Sequence, residues 1–229
     1  MIDSGTPLLL GSSSPRRREL LTKLGLPLRF AAADVDETGR SGEPAAEYLV
    51  RVTGLKLEAT ASLPEAAGAG GILVADTSVI LDGAVLGKPR DEADARGMIR
   101  ALSGREHEVW TRFAIAGPSE AHPAYPAHPA HPTHLSHQAQ PLFQPLHAET
   151  VSTRVRFRVL DEEEIAAYAA TGEGLDKAGA YAVQGIGAFA VARLDGSWSN
   201  VVGLPVCEVI AALRHVGLLG LFPMPAARS

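Results

Sequence analysis

A single cysteine, Cys207, occurs among the 229 residues, so no disulfide can close within the chain and no cysteine pair is present for a zinc site. That scarcity suits a reducing compartment, and the expected location is the cytoplasm. Cations are also in deficit: 21 Lys and Arg against 26 Asp and Glu leave a formal net charge of −5, with a pI near 5.9. Binding to a nucleic-acid backbone needs a basic surface, so nucleic acid is excluded as the main partner. No apolar run approaches the ~20 residues of a bilayer span. The first residues lack the basic start and apolar core of a signal peptide, so a soluble chain without a membrane partner is expected. The GxxxxGK[ST] spacing is missing too, and any bound phosphate must be met by something other than a P-loop. What is abundant is apolar bulk. At 46% hydrophobic residues, the chain can build one large α/β domain or two lobes that share a cleft.

The stretch ILVADTSVILDGAVLGKPRD, Ile72–Asp91, is where chemistry concentrates. Ile72–Ala75 is short, apolar and partly β-branched, as a core strand is, and Asp76 and Thr77 follow at its carboxyl end, where α/β sheets bind ligands. Val79–Leu81 and Ala84–Leu86 flank Asp82-Gly83, a dipeptide suited to a type I′ hairpin turn. The hairpin returns Gly87-Lys88-Pro89 toward Asp76. An acid and a lysine converging in this way suit a phosphate or a metal–phosphate complex.

Upstream, Pro7–Leu10 reads as a strand emptying into GSSSPRRR and a helix that ends at Gly25. Ser14 fits the helix cap and Pro15 its first position. Loop amides, the helix N-terminus and Arg16 or Arg17 can together hold a phosphate. Arg29–Ala33 forms a second strand, and the acids of Asp34–Thr38 are candidates for Mg²⁺, which prefers a few carboxylate oxygens completed by water and phosphate. Pro44–Ala61 has helical spacing and carries Lys56, with Gly54 marking a close-packed point. Asp91–Leu102 is a further helix and Glu108–Ala116 a strand. From about 117 to 148 the composition shifts to Pro, Ala and His, with six histidines from His122 to His147; this reads as an extended insertion between two strands. Glu149–Val159 alternates as a strand with one buried face, and Asp161–Tyr168 is a helix capped by Asp161. The Gly-rich run Thr171–Gly185 contains Lys177 and Gln184 among small residues that let a ligand approach the backbone. Ala188–Leu194 is the last strand, Val206–His215 the closing helix and Leu218–Ser229 a loose tail.

In order along the chain, GSSSPRRRELLTKLGL, DVDET, ADTSVILDGAVLGKPRD, ALSGREHEVWT, VRFRVL, TGEGLDKAGAYAVQGIGA and NVVGLP resemble the motifs of the Maf family of nucleoside triphosphate pyrophosphatases. The resemblance spans nearly everything except the His/Pro insertion and the tail. It implies an elongated α/β fold, a mixed sheet with two lobes flanking a deep cleft in one domain, often as a homodimer. It implies hydrolysis of a nucleoside triphosphate to the monophosphate and pyrophosphate with a divalent cation, Mg²⁺ or Mn²⁺. Asp76 matches the family's proton acceptor, with Lys56 and Lys88 as catalytic partners. Glu37 and Asp76 are the implied metal ligands. Ser14, Arg16, Arg17, Thr77, Lys177 and Gln184 fall at substrate-binding positions. The sequence is compatible with Asp76 as base, as metal ligand or as both.

The DKAGAYAVQG form resembles the branch acting on dTTP and UTP in nucleotide-pool house-cleaning. A carboxamide at Gln184 offers a donor and an acceptor, matching the N3–H and O4 edge of uracil or thymine, whereas a carboxylate only accepts. The alternatives are a 7-methyl-GTP pyrophosphatase and a catalytically weak nucleotide-binding regulator of septum formation. Around Lys56 the sequence departs from the family pattern, with Thr53 and Leu57 adding bulk to the helix.

Overall fold

The computed structural model describes residues 1–119 and 142–223. Leu8–Gly11 (β1) is buried at all four positions, as expected of a strand covered on both faces. It lies between two parallel neighbours, β2 (Leu28–Ala31) and β3 (Gly71–Leu81). A short β4 (Ala84–Leu86) folds back on β3. Beyond β3 the sheet becomes antiparallel through β5 (Glu106–Pro118), β6 (Phe143–Phe157) and β7 (Val191–Asp195). The resulting seven-stranded order is β2-β1-β3-β5-β6-β7, with β4 attached to β3. Among the described residues six α-helices complete the expected mixed α/β fold: α1 (Pro15–Thr22), α2 (Ala45–Ala61), α3 (Glu92–Leu102), α4 (Glu162–Ala170), α5 (Trp198–Val202) and α6 (Val206–His215). None of the described helices is long and apolar enough to cross a membrane.

β3 organises the molecule, and it differs from expectation. The residues expected as a strand, a catalytic end and a hairpin arm form one strand of 11 residues, so Asp76 sits in mid-strand. The reason is pairing: β5 runs beside β3 from Ile72 to Ile80 without interruption. On the other edge, β1 stops at Leu73 and β4 begins at Val79. Asp76 and Thr77 therefore occupy a gap where β3 changes neighbour, the kind of switch point at which a crevice opens in a sheet. The hairpin itself is as expected, with Asp82 and Gly83 at φ 51° and 80°, the left-handed values a type I′ turn requires.

Alternation along β3 distributes its side chains between two faces. Ile72 and Val74 pack with Leu57 of α2, so Asp76 points to the α2 side. Leu73 and Ala75 join Leu21 of α1 and Val209 of α6 in one core, whereas Val79 and Leu81 join α3 and α4 in another. Thr77 lies on this second face, between those two cores.

Several boundaries move. Gly117 and Pro118 pair with Gln144 and Phe143, so strands extend into both edges of the Pro/His-rich span, whose remainder falls outside the described residues. Pro145 sits beside a register shift in β6, a position where a residue without an N–H is tolerated. The expected strand at Ala188–Leu194 begins only at Val191, after a 3₁₀ turn over Ile186–Ala190. The tail is anchored at its start: Leu218 and Leu219 are buried, and the Ile2 amide donates to the Leu218 carbonyl at 2.7 Å. Gly54 is not a close-packed point, since a Cβ there would meet nothing within 4 Å.

The bulk added on α2 is accommodated at a cost. Leu57 joins the core, but Thr53 is 1% exposed and its hydroxyl has no partner among the described residues. Replacing it by the isosteric Thr53→Val is expected to raise unfolding free energy by about 1 kcal/mol, read as a higher urea midpoint at unchanged slope. His107 is 3% exposed, edge-on to Phe157 and Tyr181, and burial pushes its pKa down to about 4. Its stabilising effect is full above the unfolded value near 6.5 and fades as pH falls toward 4, by up to about 3 kcal/mol. Between pH 7 and 4.5 the urea midpoint should therefore drop more steeply in the native protein than in His107→Asn.

Candidate active site

The gap beside β3, between β1 and β4, opens into a cleft of about 590 Å³ lined by residues of β1, α1, β3, the β4 hairpin and the Lys177–Gln184 loop. Its most buried acid is Asp76, 6% exposed. Because Asp76 points toward α2, it meets Lys56, whose Nζ donates to Oδ1 at 2.6 Å. The same ammonium lies 3.0 Å from Glu37 Oε1. Thr53 and Leu57 have thus not redirected Lys56. The Asp34–Thr38 loop is held from α2: the Tyr48 hydroxyl donates to the Glu37 carbonyl at 3.2 Å, and Arg51 donates to the Thr38 carbonyl at 3.0 Å. Arg51 also grips Glu43 through both carboxylate oxygens, at 2.6 and 2.7 Å, which holds that carboxyl down to about 2. Burial, with the nearby charges of Asp76 and Glu37, pushes the Tyr48 phenol up to about 12.

On the opposite face of β3, Thr77 meets α1. Arg17 donates to the Gly203 carbonyl at 2.7 Å, to Thr77 Oγ1 at 3.0 Å and to Ser12 Oγ at 3.3 Å. Gly203 itself takes φ 129°, a conformation that favours glycine. Arg17 has no carboxylate in ion-pair contact among the described residues, and burial lowers its pKa, opposed by the charge of Asp76. A partly desolvated cation without a counter-ion, facing a cleft, favours an anion there. Ser14 stands at the α1 cap position but makes no side-chain cap hydrogen bond, contrary to expectation; Pro15 does take the first turn. The Arg16 and Arg17 amides of that turn have no acceptor among the described residues and can meet an anion.

Arg16 lies 3.6 Å from Asp176, across the mouth of the cleft, and Lys177 donates to the Asp176 carboxylate and to the Glu173 carbonyl. Lys88 and Gln184 also line the cleft, both exposed, and Lys88 makes no ion pair among the described residues. All ten residues singled out from the sequence as binding or catalytic thus line one cavity: Ser14, Arg16, Arg17, Glu37, Lys56, Asp76, Thr77, Lys88, Lys177 and Gln184.

Others behind them were not singled out. Thr77 Oγ1 lies 2.9 Å from Thr111 Oγ1, and Thr111 donates to the Asn200 carbonyl at 3.1 Å. The Asn200 amide donates to the Val109 carbonyl and to Thr153 at 2.9 and 3.0 Å. Thr111 and Thr153 are ordinary strand residues by propensity, so only Asn200, inside the NVVGLP run, carried any signal. Glu173 was likewise passed over as part of a glycine-rich turn.

Glu37 and Asp76 also fit a divalent ion. Both carboxylates reach one ammonium, at 3.0 and 2.6 Å, so they already bracket a single cation position. No cluster of three or more His, Cys, Asp or Glu able to hold a metal occurs among the described residues. Two carboxylates are a donor set that Mg²⁺ takes when water and phosphate oxygens complete it.

Comparison with known proteins gives a family. The family model described as Maf-like protein matches residues 7–216. A protein of Myxococcus xanthus named dTTP/UTP pyrophosphatase is 44% identical over 96% of this chain and 95% of its own length. Proteins of the same name from Anaeromyxobacter dehalogenans and Geotalea uraniireducens are 45% and 40% identical, over 96% of this chain in each case and 97% and 100% of their own lengths. The chain therefore belongs to the Maf family, with the switch-point acid, its lysine and the cationic cleft as its candidate site.

Proposed function

We propose that the protein hydrolyses dTTP and UTP to the nucleoside monophosphate and pyrophosphate, removing these or modified pyrimidine nucleotides from the pool. The observation that carries this reading is the pairing of Asp76 with Lys56 at 2.6 Å in a cleft otherwise rich in cations. The shared name of the full-length relatives supports the substrate class.

Arg17, the free amides at the start of α1, Arg16 and Lys177 take the triphosphate, replacing water around its charges with fixed donors. Lys88, exposed and without an ion-pair partner among the described residues, can follow the charge that grows on the leaving pyrophosphate. Asp76 Oδ1 is engaged by Lys56, and no hydrogen bond reaches Oδ2 among the described residues. That oxygen is therefore the one able to orient a water and take its proton. Water oxygen bonds to the α-phosphorus, the bond from that phosphorus to the bridging oxygen breaks, and the electron pair leaves with pyrophosphate. The proton passes through Asp76 to solvent. Glu37 and Asp76 would hold Mg²⁺ or Mn²⁺, which when bound supplies charge neutralisation to the phosphates. Lys56, whose ammonium touches both carboxylates, holds the two acids together.

Product analysis over dTTP, UTP, CTP and 7-methyl-GTP with Mg²⁺ or Mn²⁺ tests the reading. Monophosphate and pyrophosphate from dTTP and UTP are expected, with kcat lowered by about 10²–10⁴ in Asp76→Asn. Orthophosphate as product, or binding without turnover as in a regulatory protein, would refute it. For the base, Gln184→Glu presents only acceptors to the O4 side of uracil. It is expected to lower kcat/KM for UTP about tenfold or more relative to 7-methyl-GTP; an unchanged ratio would remove Gln184 from the base-reading role.

A further inference from the structure

A carboxamide has a limitation as a reader of pyrimidines. Uracil and thymine present an N3–H donor and an O4 acceptor, and cytosine presents the reverse, an N3 acceptor and an N4 donor. An amide that can turn over about its last torsion serves both equally. The Gln184 side chain makes no hydrogen bond among the described residues and is exposed at the cleft wall. Whatever limits its approach to a base must act through the backbone beneath it.

That backbone rests on one carboxylate outside the cleft. Glu173 Oε1 accepts from the Ile186 amide at 2.7 Å, and Oε2 accepts from the Gly187 amide at 2.8 Å and from the Tyr168 hydroxyl at 2.9 Å. The chain passes so close that a Cβ on Gly185 would lie 2.0 Å from Oε1. Tyr168, 4% exposed, also accepts from the Ala182 amide at 3.3 Å, so the loop is gripped on both sides of Gln184. The carbonyl of Glu173 meanwhile accepts from Lys177. Burial works against ionisation of Glu173, but the amides of Gly187 and Ile186, the Tyr168 hydroxyl and Lys177 together hold its pKa below the ordinary value. The ionised form, acceptor at both oxygens, is the one this nest of donors requires.

We infer that Glu173, through Tyr168, is the positioning residue that fixes Gln184 and so gives the site its preference for uracil and thymine over cytosine. The inference rests on the pyrophosphatase reading and refines it. Glu173→Gln places an NH₂ group against an N–H or O–H donor and releases one side of the loop. Tyr168→Phe removes the phenolic bridge between Glu173 and Ala182 and leaves both amide bonds.

The test is the ratio of kcat/KM for UTP to that for CTP, measured with the intact protein. Glu173→Gln is expected to lower it about tenfold, mainly through KM for UTP, and Tyr168→Phe to lower it about threefold. In a Gln184→Ala background neither substitution should change the ratio further, because the group they position is gone. A uniform loss on both nucleotides with the ratio kept, or a further drop in the Gln184→Ala background, overturns the inference. Should Glu173→Gln fail to fold, Tyr168→Phe decides alone, and an unchanged ratio there also overturns it. If the native protein turns over no nucleotide, the pyrophosphatase reading fails separately, and the same comparison is made with dissociation constants for UTP and CTP.

Discussion

A carboxylate in the middle of a core strand is tolerated only if a cation comes to meet it, and the contact of Asp76 with Lys56 at 2.6 Å is that condition. Removing either partner would leave a charge in a poorly hydrated place, at a cost of several kcal/mol. The constraint propagates outward. Lys56 must sit on α2 at the turn facing β3, so α2 must pack on the even face of the strand through Leu57. The Asp34–Thr38 loop must then be drawn in by Tyr48 and Arg51 to bring Glu37 to the same ammonium.

The sheet supplies the space. Had β1 continued along β3, the backbone at Asp76 and Thr77 would be covered by a ladder and no cleft could open. Because β1 ends at Leu73 and β4 begins at Val79, the strand is held by β5 on one side and left open on the other. Alternation then assigns the roles. Asp76 on one face takes the lysine and the acid; Thr77 on the other takes Arg17 and the Gly203 carbonyl. On the proposed function, chemistry and phosphate binding are separated by one residue of strand, a spacing fixed by the pleat itself.

Much of this was legible in the residues. The Asp-Gly hairpin, the α2 and α6 spans and the cleft-lining set follow from turn chemistry, periodicity and the ordered motifs. The length of β3 was not, because the polar Asp76–Ser78 segment breaks an apolar run and only the partner β5 carries the strand through it. Nor were Thr111 and Glu173, whose importance lies in what they touch, across 34 residues in one case and 14 in the other. Single residues reveal chemistry when they carry it; residues that position others look like propensity or turn composition until the chain is folded. The proline-bearing edges of β5 and β6 misled for a related reason, since Pro145 is acceptable in a strand only because a register shift happens to fall beside it.

Global charge was a poor guide to the cleft for the same physical reason. The chain carries −5 overall, yet five cations, Arg16, Arg17, Lys56, Lys88 and Lys177, face three carboxylates, Glu37, Asp76 and Asp176, along the cleft wall. The local balance is opposite in sign to the whole. Such an arrangement holds itself together by pairing: Lys56 with Asp76 and Glu37, and Asp176 with Arg16 and Lys177. Arg17 and Lys88 stand outside those pairs among the described residues, Arg17 on a carbonyl and two hydroxyls. The cleft therefore offers an entering polyanion two cations that no carboxylate engages among the described residues, beside three that are paired. The net negative charge of the rest of the chain does not cancel this focus, because charges beyond about 10 Å are screened while those lining a cleft are not.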